Sequence, residues 1–89
     1  VAVDGGMSDN LRPIIDGARY EAQIAGRIGG GTRCHVVGKH CESGDVLGNH
    51  RRLPRPREGD VLLIAQTGAY GSVMSSRYNL REPAVEVVL

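Results

Sequence analysis

Apolar residues recur along this chain at alternate positions in several short runs, each closed by glycine, proline or a small polar cluster, which is the pattern of short β-strands joined by tight turns. Val1 to Val3 is a first β run, stopped by Asp4-Gly5-Gly6. Within Met7 to Pro13, Ser8, Asp9 and Asn10 are good helix N-cap types. Pro13 biases Arg12 towards an extended conformation, so any helix here is about one turn and Arg12 falls on an irregular segment. Arg19 to Ile28 fits two patterns: Tyr20, Ala22, Ile24, Gly26 and Ile28 alternate as a strand face, and Tyr20, Ile24 and Ile28 also form a helical stripe. A strand is preferred, because the turn Gly29-Gly30-Gly31-Thr32 follows at once and leads into a second β run, Arg33 to Val37.

Val46 to Leu53 reads as a polar edge strand, and Pro54 to Gly59 as a turn that prolines keep out of a central sheet position. In Asp60 to Gln66 the apolar residues Val61 to Ala65 are consecutive, which predicts a strand buried on both faces. Thr67 to Gly71 interrupts it, leaving Tyr70 on a bend. Ser72 to Asn79 is expected to form a short helix with Val73, Met74 and Tyr78 inward, before a last strand from Pro83 to Leu89. The expected fold is all-β and mainly antiparallel, a β-sandwich or open Greek-key-type barrel with one short helix, spanning 1–89 as one domain.

With 89 residues, no Phe, no Trp and three tyrosines, the core must be small, so the domain is expected to be marginally stable alone or buried against a partner. The formal net charge of +1 supplies no overall field for nucleic acid or an anionic membrane. The basic residues His50, Arg51, Arg52, Arg55 and Arg57 have prolines among them but no aromatic, so they read as a solvated loop without stacking platforms. No apolar run approaches the roughly 18 residues of a membrane span. Two cysteines are too few for a disulfide framework, and a cytoplasmic setting fits them. Both ends read as the interior of a longer chain.

Groups able to move protons are concentrated in His40-Cys41-Glu42-Ser43-Gly44-Asp45. Two readings stand for this cluster. It can be an ordinary turn in which Ser43 and Asp45 bond local backbone N–H groups. Alternatively, Cys41 is a proton donor or nucleophile, a thiol pKa near 8.5 being suited to proton transfer around neutrality, and Glu42 accepts a hydrogen bond from a substrate amine. The pairs Cys34-His35 and His40-Cys41 carry zinc's preferred donors, yet extended backbone would separate the two thiols by roughly 23 Å. Cys34 therefore reads as a small apolar side chain. Arg12 offers a fork suited to a carboxylate, and Tyr70 either fills a core gap or presents its hydroxyl to a ligand.

Three segments taken together, Val1-Ala2-Val3-Asp4-Gly5-Gly6-Met7-Ser8-Asp9-Asn10-Leu11-Arg12-Pro13, then Gly38-Lys39-His40-Cys41-Glu42-Ser43-Gly44-Asp45, then Thr67-Gly68-Ala69-Tyr70-Gly71 with Tyr78-Asn79, closely resemble the diaminopimelate decarboxylase family in order and spacing. The resemblance implies a lyase that uses pyridoxal phosphate to release carbon dioxide from meso-diaminopimelate, giving L-lysine. It also implies a TIM-type barrel that holds the cofactor on a lysine, a C-terminal β domain, and active sites at a homodimer interface. This chain is similar to the β domain alone. On the same resemblance Arg12 grips the distal carboxylate, Cys41 reaches across the dimer to deliver a proton, Glu42 helps hold the distal amino group, and Tyr70 lies against the cofactor.

Two departures stand out. Where the family usually reads Arg-Pro-Ala-Leu-Tyr-Gly-Ala, this chain has Arg12-Pro13-Ile14-Ile15-Asp16-Gly17-Ala18, so a substrate-contacting tyrosine is replaced by Asp16. A carboxylate there would repel a substrate carboxylate or pair with Arg12 and neutralise it. The barrel and its cofactor lysine are also missing, and Lys39, the only lysine, does not stand in their place. The isolated chain is accordingly expected to be inactive, with a free-standing β module that binds a protein or small ligand as the other possibility.

Overall fold

The computed structural model describes residues 1–89 and is built mostly from short antiparallel strands. Strand β1 is Ala22–Ile24, β2 Thr32–Val37, β3 Val46–Leu53 and β4 Leu62–Ile64; helix α1 is Arg12–Asp16, α2 Gly68–Met74, and a 3-10 turn covers Tyr78–Leu80. The β2–β3 ribbon sets Thr32 opposite Leu53 and Cys34 opposite Arg51, with register shifts on either side of Val36. The β1–β4 ribbon pairs Ala22 with Ile64 and Ile24 with Leu62. The first residues lie parallel to the end of β2: Val3 N–H donates to the Val37 carbonyl at 3.0 Å and Val37 N–H to the Val1 carbonyl at 2.9 Å.

Alternation along the strands builds the core. Ile24, Val36, Leu47 and Leu53 are buried together, with Val3, Ala22, Cys34, Leu62 and Ile64 packed against them, so the two ribbons share one small apolar layer. Arg51 is buried as well, contrary to the expectation of a solvated basic loop. Its Nε–H donates to the Tyr20 carbonyl at 3.1 Å and its Nη1–H to the Asn49 carbonyl at 2.6 Å, tying β3 to the segment before β1. Burial lowers its pKa below the ordinary guanidinium value.

The two ribbons are small and are not closed into a barrel. Several expectations are corrected. Strand β4 is not buried on both faces, since Val61 and Leu63 point outward. The helix expected over Ser72 to Asn79 begins earlier, at Gly68, and Val73 is exposed rather than inward. No strand pairs with Pro83 to Leu89, whose valines are exposed. Arg12 sits on a helix after all: a proline in the first turn lacks only an N–H that has no intrahelical partner there, so Pro13 starts α1 instead of preventing it.

Candidate functional site

Residues Gly5 to Asn10 form a loop that meets the segment bearing Cys41 and Glu42 and runs on into the helix bearing Arg12 and Asp16. Its tie to the Cys41 loop is the buried carboxylate of Asp45. Asp45 Oδ1 accepts the Met7 N–H at 2.7 Å, and Oδ2 accepts the His40 N–H at 2.6 Å. A buried carboxylate needs such donors to offset its lost hydration. The approach is close enough that a Cβ on Gly38 would overlap the carboxylate. A second tie is a buried hydrogen bond of 2.8 Å between Ser8 Oγ and His40 Nε2. Lys39 and Asp9 form a third, an ion pair of 3.3 Å, and the same Asp9 carboxylate accepts the Gly6 N–H at 2.9 Å.

The loop continues into α1. There Arg12 is paired with Asp16, one helical turn on: Nη2 lies 3.1 Å and Nε 3.2 Å from Asp16 Oδ2, while Asp16 Oδ1 accepts the Ala18 N–H at 3.1 Å. The hydrogen bond and charge of Asp16 raise the Arg12 pKa above its ordinary value. Helix α1 rests on the Cys41 loop, Ile14 Cδ1 lying 2.6 Å from where a Gly44 Cβ would stand. Arg12 and the Cys41-Glu42 pair are thus carried by touching segments. The Cys41 thiol is free and exposed. Glu42 is also exposed, its Oε1 3.4 Å from the Gly44 N–H.

Tyr70 belongs to another part of the surface. It is 69% exposed and holds a left-handed backbone, φ 65° and ψ −6°, a conformation that strains a bulky residue. No hydrogen bond, ion pair or ring contact joins it to Arg12, Cys41 or Glu42. A cavity of about 710 Å³, lined among others by Gly6, Asn10, Gly68 and Gly71, separates the Gly5 to Asn10 loop from α2. The segment after α2 does reach this region: the Ser76 N–H donates to the Ser8 carbonyl at 2.9 Å, and the Tyr78 ring meets the His40 ring edge-on with centroids 5.3 Å apart.

Four buried polar residues, Ser8, Asn10, His40 and Asp45, were not separated by sequence from their exposed neighbours. Their polarity reads as surface, and the one available signal is local: Gly38 and Gly44 leave room on either side of the cluster for a backbone to approach. Cys34 packs against the core, and no group of three or more His, Cys, Asp or Glu side chains converges on a point.

Fold and site together define a small β domain that carries an arginine, a thiol and a carboxylate on one pair of touching segments. Residues 1–68 match the sequence profile of the pyridoxal-dependent decarboxylase C-terminal sheet domain. The chain belongs to this family. It is 52% identical over 89 residues to the diaminopimelate decarboxylase of Corynebacterium efficiens, covering 96% of this chain and 19% of that protein. With the diaminopimelate decarboxylase of Bacillus subtilis the identity is 50% over 91 residues, covering 99% and 21%. The crystal structure of Helicobacter pylori diaminopimelate decarboxylase complexed with L-lysine superposes with a TM-score of 0.82 at 40% identity, covering 89% of this chain and 20% of that one. The chain therefore spans about a fifth of the length of the curated relatives it matches.

The family's cofactor is pyridoxal phosphate, whose aldehyde is anchored by a lysine amine. These residues do not fit that anchoring role, because Lys39 is the only lysine and its ammonium is engaged by Asp9.

Proposed function

We propose that this chain is the sheet-domain part of a meso-diaminopimelate decarboxylase, completing a substrate site beside a cofactor-binding barrel at a homodimer interface. There the two ribbons form part of an open Greek-key barrel. The observation that carries this reading is the contact of Ile14, on the same short helix as Arg12, with Gly44 of the loop that bears Cys41 and Glu42. Arg12 binds the distal carboxylate through its planar fork, and Glu42 accepts from the distal ammonium. When carbon dioxide leaves, the carbon it leaves takes a proton from Cys41 Sγ, and solvent returns one to the exposed thiolate. Tyr70, whose ring is exposed, would lie against the cofactor, which would supply the electron sink when held elsewhere in the enzyme.

The test is a graft of these residues in place of the matching segment of the Bacillus subtilis enzyme. A graft that folds and dimerises should release carbon dioxide from meso-diaminopimelate, and Cys41→Ala should lower kcat by about 10²–10⁴-fold. The 89-residue chain alone, supplied with pyridoxal phosphate, should release none. A folded, dimeric graft without activity would sink the proposal. It would favour the second reading, a non-catalytic binding module, for which the closed Arg12–Asp16 pair is the specific observation.

A further inference from the structure

We infer that His40 and Ser8 are positioning residues, a buried latch that fixes where the Cys41 thiol stands relative to Arg12; this rests on Cys41 being the proton donor. His40 is buried and adjoins the exposed Cys41 in sequence, so the ring is a root for the thiol and not itself exposed to substrate. Its backbone N–H is held by Asp45 and its Nε2 by Ser8, four residues before Arg12. Each of these partners belongs to, or is bonded to, the loop that runs into α1. Rotation of the Cys41 loop about its glycines would have to break the Ser8–His40 bond.

The chemistry of the ring gives the bond a direction. Nδ1 is buried without a partner, and an unpaired buried acceptor is tolerated more readily than an unpaired buried N–H. The proton therefore sits on Nε2 and is donated to Ser8 Oγ. Glutamine carries an amide nitrogen at nearly the same reach and also donates, whereas the amide of asparagine stops near the place of Nδ1. Other charged groups near the latch are engaged elsewhere: Asp45 faces two backbone N–H groups, and Asp9 faces Lys39. Tyr78 meets the imidazole through its ring edge. Nothing but Ser8 thus competes for Nε2.

In the Bacillus subtilis graft, Ser8→Ala and His40→Ala should each lower kcat about 10–100-fold, the scale of a misplaced reacting group, with KM changed less than about twofold. The double variant should be no worse than either single one, since both remove one bond. His40→Gln should recover most of the activity and His40→Asn should not. Additive losses, a fall confined to KM, or equal behaviour of Gln and Asn would overturn the latch. Ser8→Ala deletes only a hydroxyl and reads the same bond if His40→Ala misfolds.

A second measurement separates the latch from the decarboxylase reading. In the 89-residue chain the buried His40 backbone N–H should exchange with deuterium at least about threefold faster after Ser8→Ala, because a loosened loop releases its bond to Asp45 more often. An unchanged rate overturns the latch even if the graft is active. An inactive graft with the faster rate keeps the latch and removes the decarboxylase.

Discussion

Arg12 and Asp16 show how one residue sets the behaviour of another. The carboxylate occupies the guanidinium that a substrate carboxylate would use, and it is itself steadied by the Ala18 N–H. Both side chains are substantially exposed, so the pair is a weak competitor and not a lock. Asp16→Asn in the active graft should therefore lower KM for meso-diaminopimelate by about 2–5-fold and leave kcat unchanged, as read from steady-state kinetics. The guanidinium gives no pH dependence near neutrality. Its folded-state pKa is raised, so its contribution is complete below the ordinary arginine value and is lost only in strongly alkaline solution. The sequence offers this pairing as one of two alternatives for Asp16; its spacing of one helical turn comes from α1, on which the sequence pattern does not place Arg12. The burial of His40 and Asp45 was not legible, because the groups that seal them, the Ser8 hydroxyl and the Met7 N–H, lie more than 30 residues earlier in the chain.

Elements were legible to the degree that their partners are local. Strand β3 has the bounds that its turns predict, Val46 to Leu53, and β2 differs by one residue. The apolar run around β4 gave a false double burial because five consecutive apolar residues do not say which of them meets a neighbour; only Leu62 and Ile64 face the core. Helix α1 was misjudged through Pro13, whose effect depends on whether it falls in a helix's first turn or its interior. The Cys41 loop depends on a missing side chain at Gly38. Gly38→Ala should destabilise the graft by about 1–3 kcal/mol, the scale of overpacking, measured as a shift in its urea midpoint. A neutral Gly38→Ala would mean that Asp45 is not held as tightly as its two hydrogen bonds indicate.

At the scale of the molecule, the mainly antiparallel β class was legible, while closure into a barrel is absent from the structure. Four side chains make the buried core, whereas Ile15, Val61, Tyr70, Val73, Leu80, Val85 and Val88 are each more than half exposed. Such a surface is expected to associate. Sedimentation of the isolated chain should show a mass that rises with concentration; a monomer at all concentrations would count against a partner-covered surface. No helix is long and apolar enough to cross a membrane. The ties that build the site also impose an order of events. Val1 reaches His35, Ser8 reaches His40 and Met7 reaches Asp45 across sequence separations of 34, 32 and 38 residues. Ties of this kind close late, since distant segments must lose more freedom before any bond rewards them. The β2–β3 ribbon, joined by a shorter connection, can form first. During synthesis the segment bearing Arg12 leaves the ribosome well before the Asp45 that anchors its loop exists, and β1 likewise waits for β4, Ala22 for Ile64, so both ends of the site-bearing loop stay unpartnered while the β2–β3 ribbon is already complete.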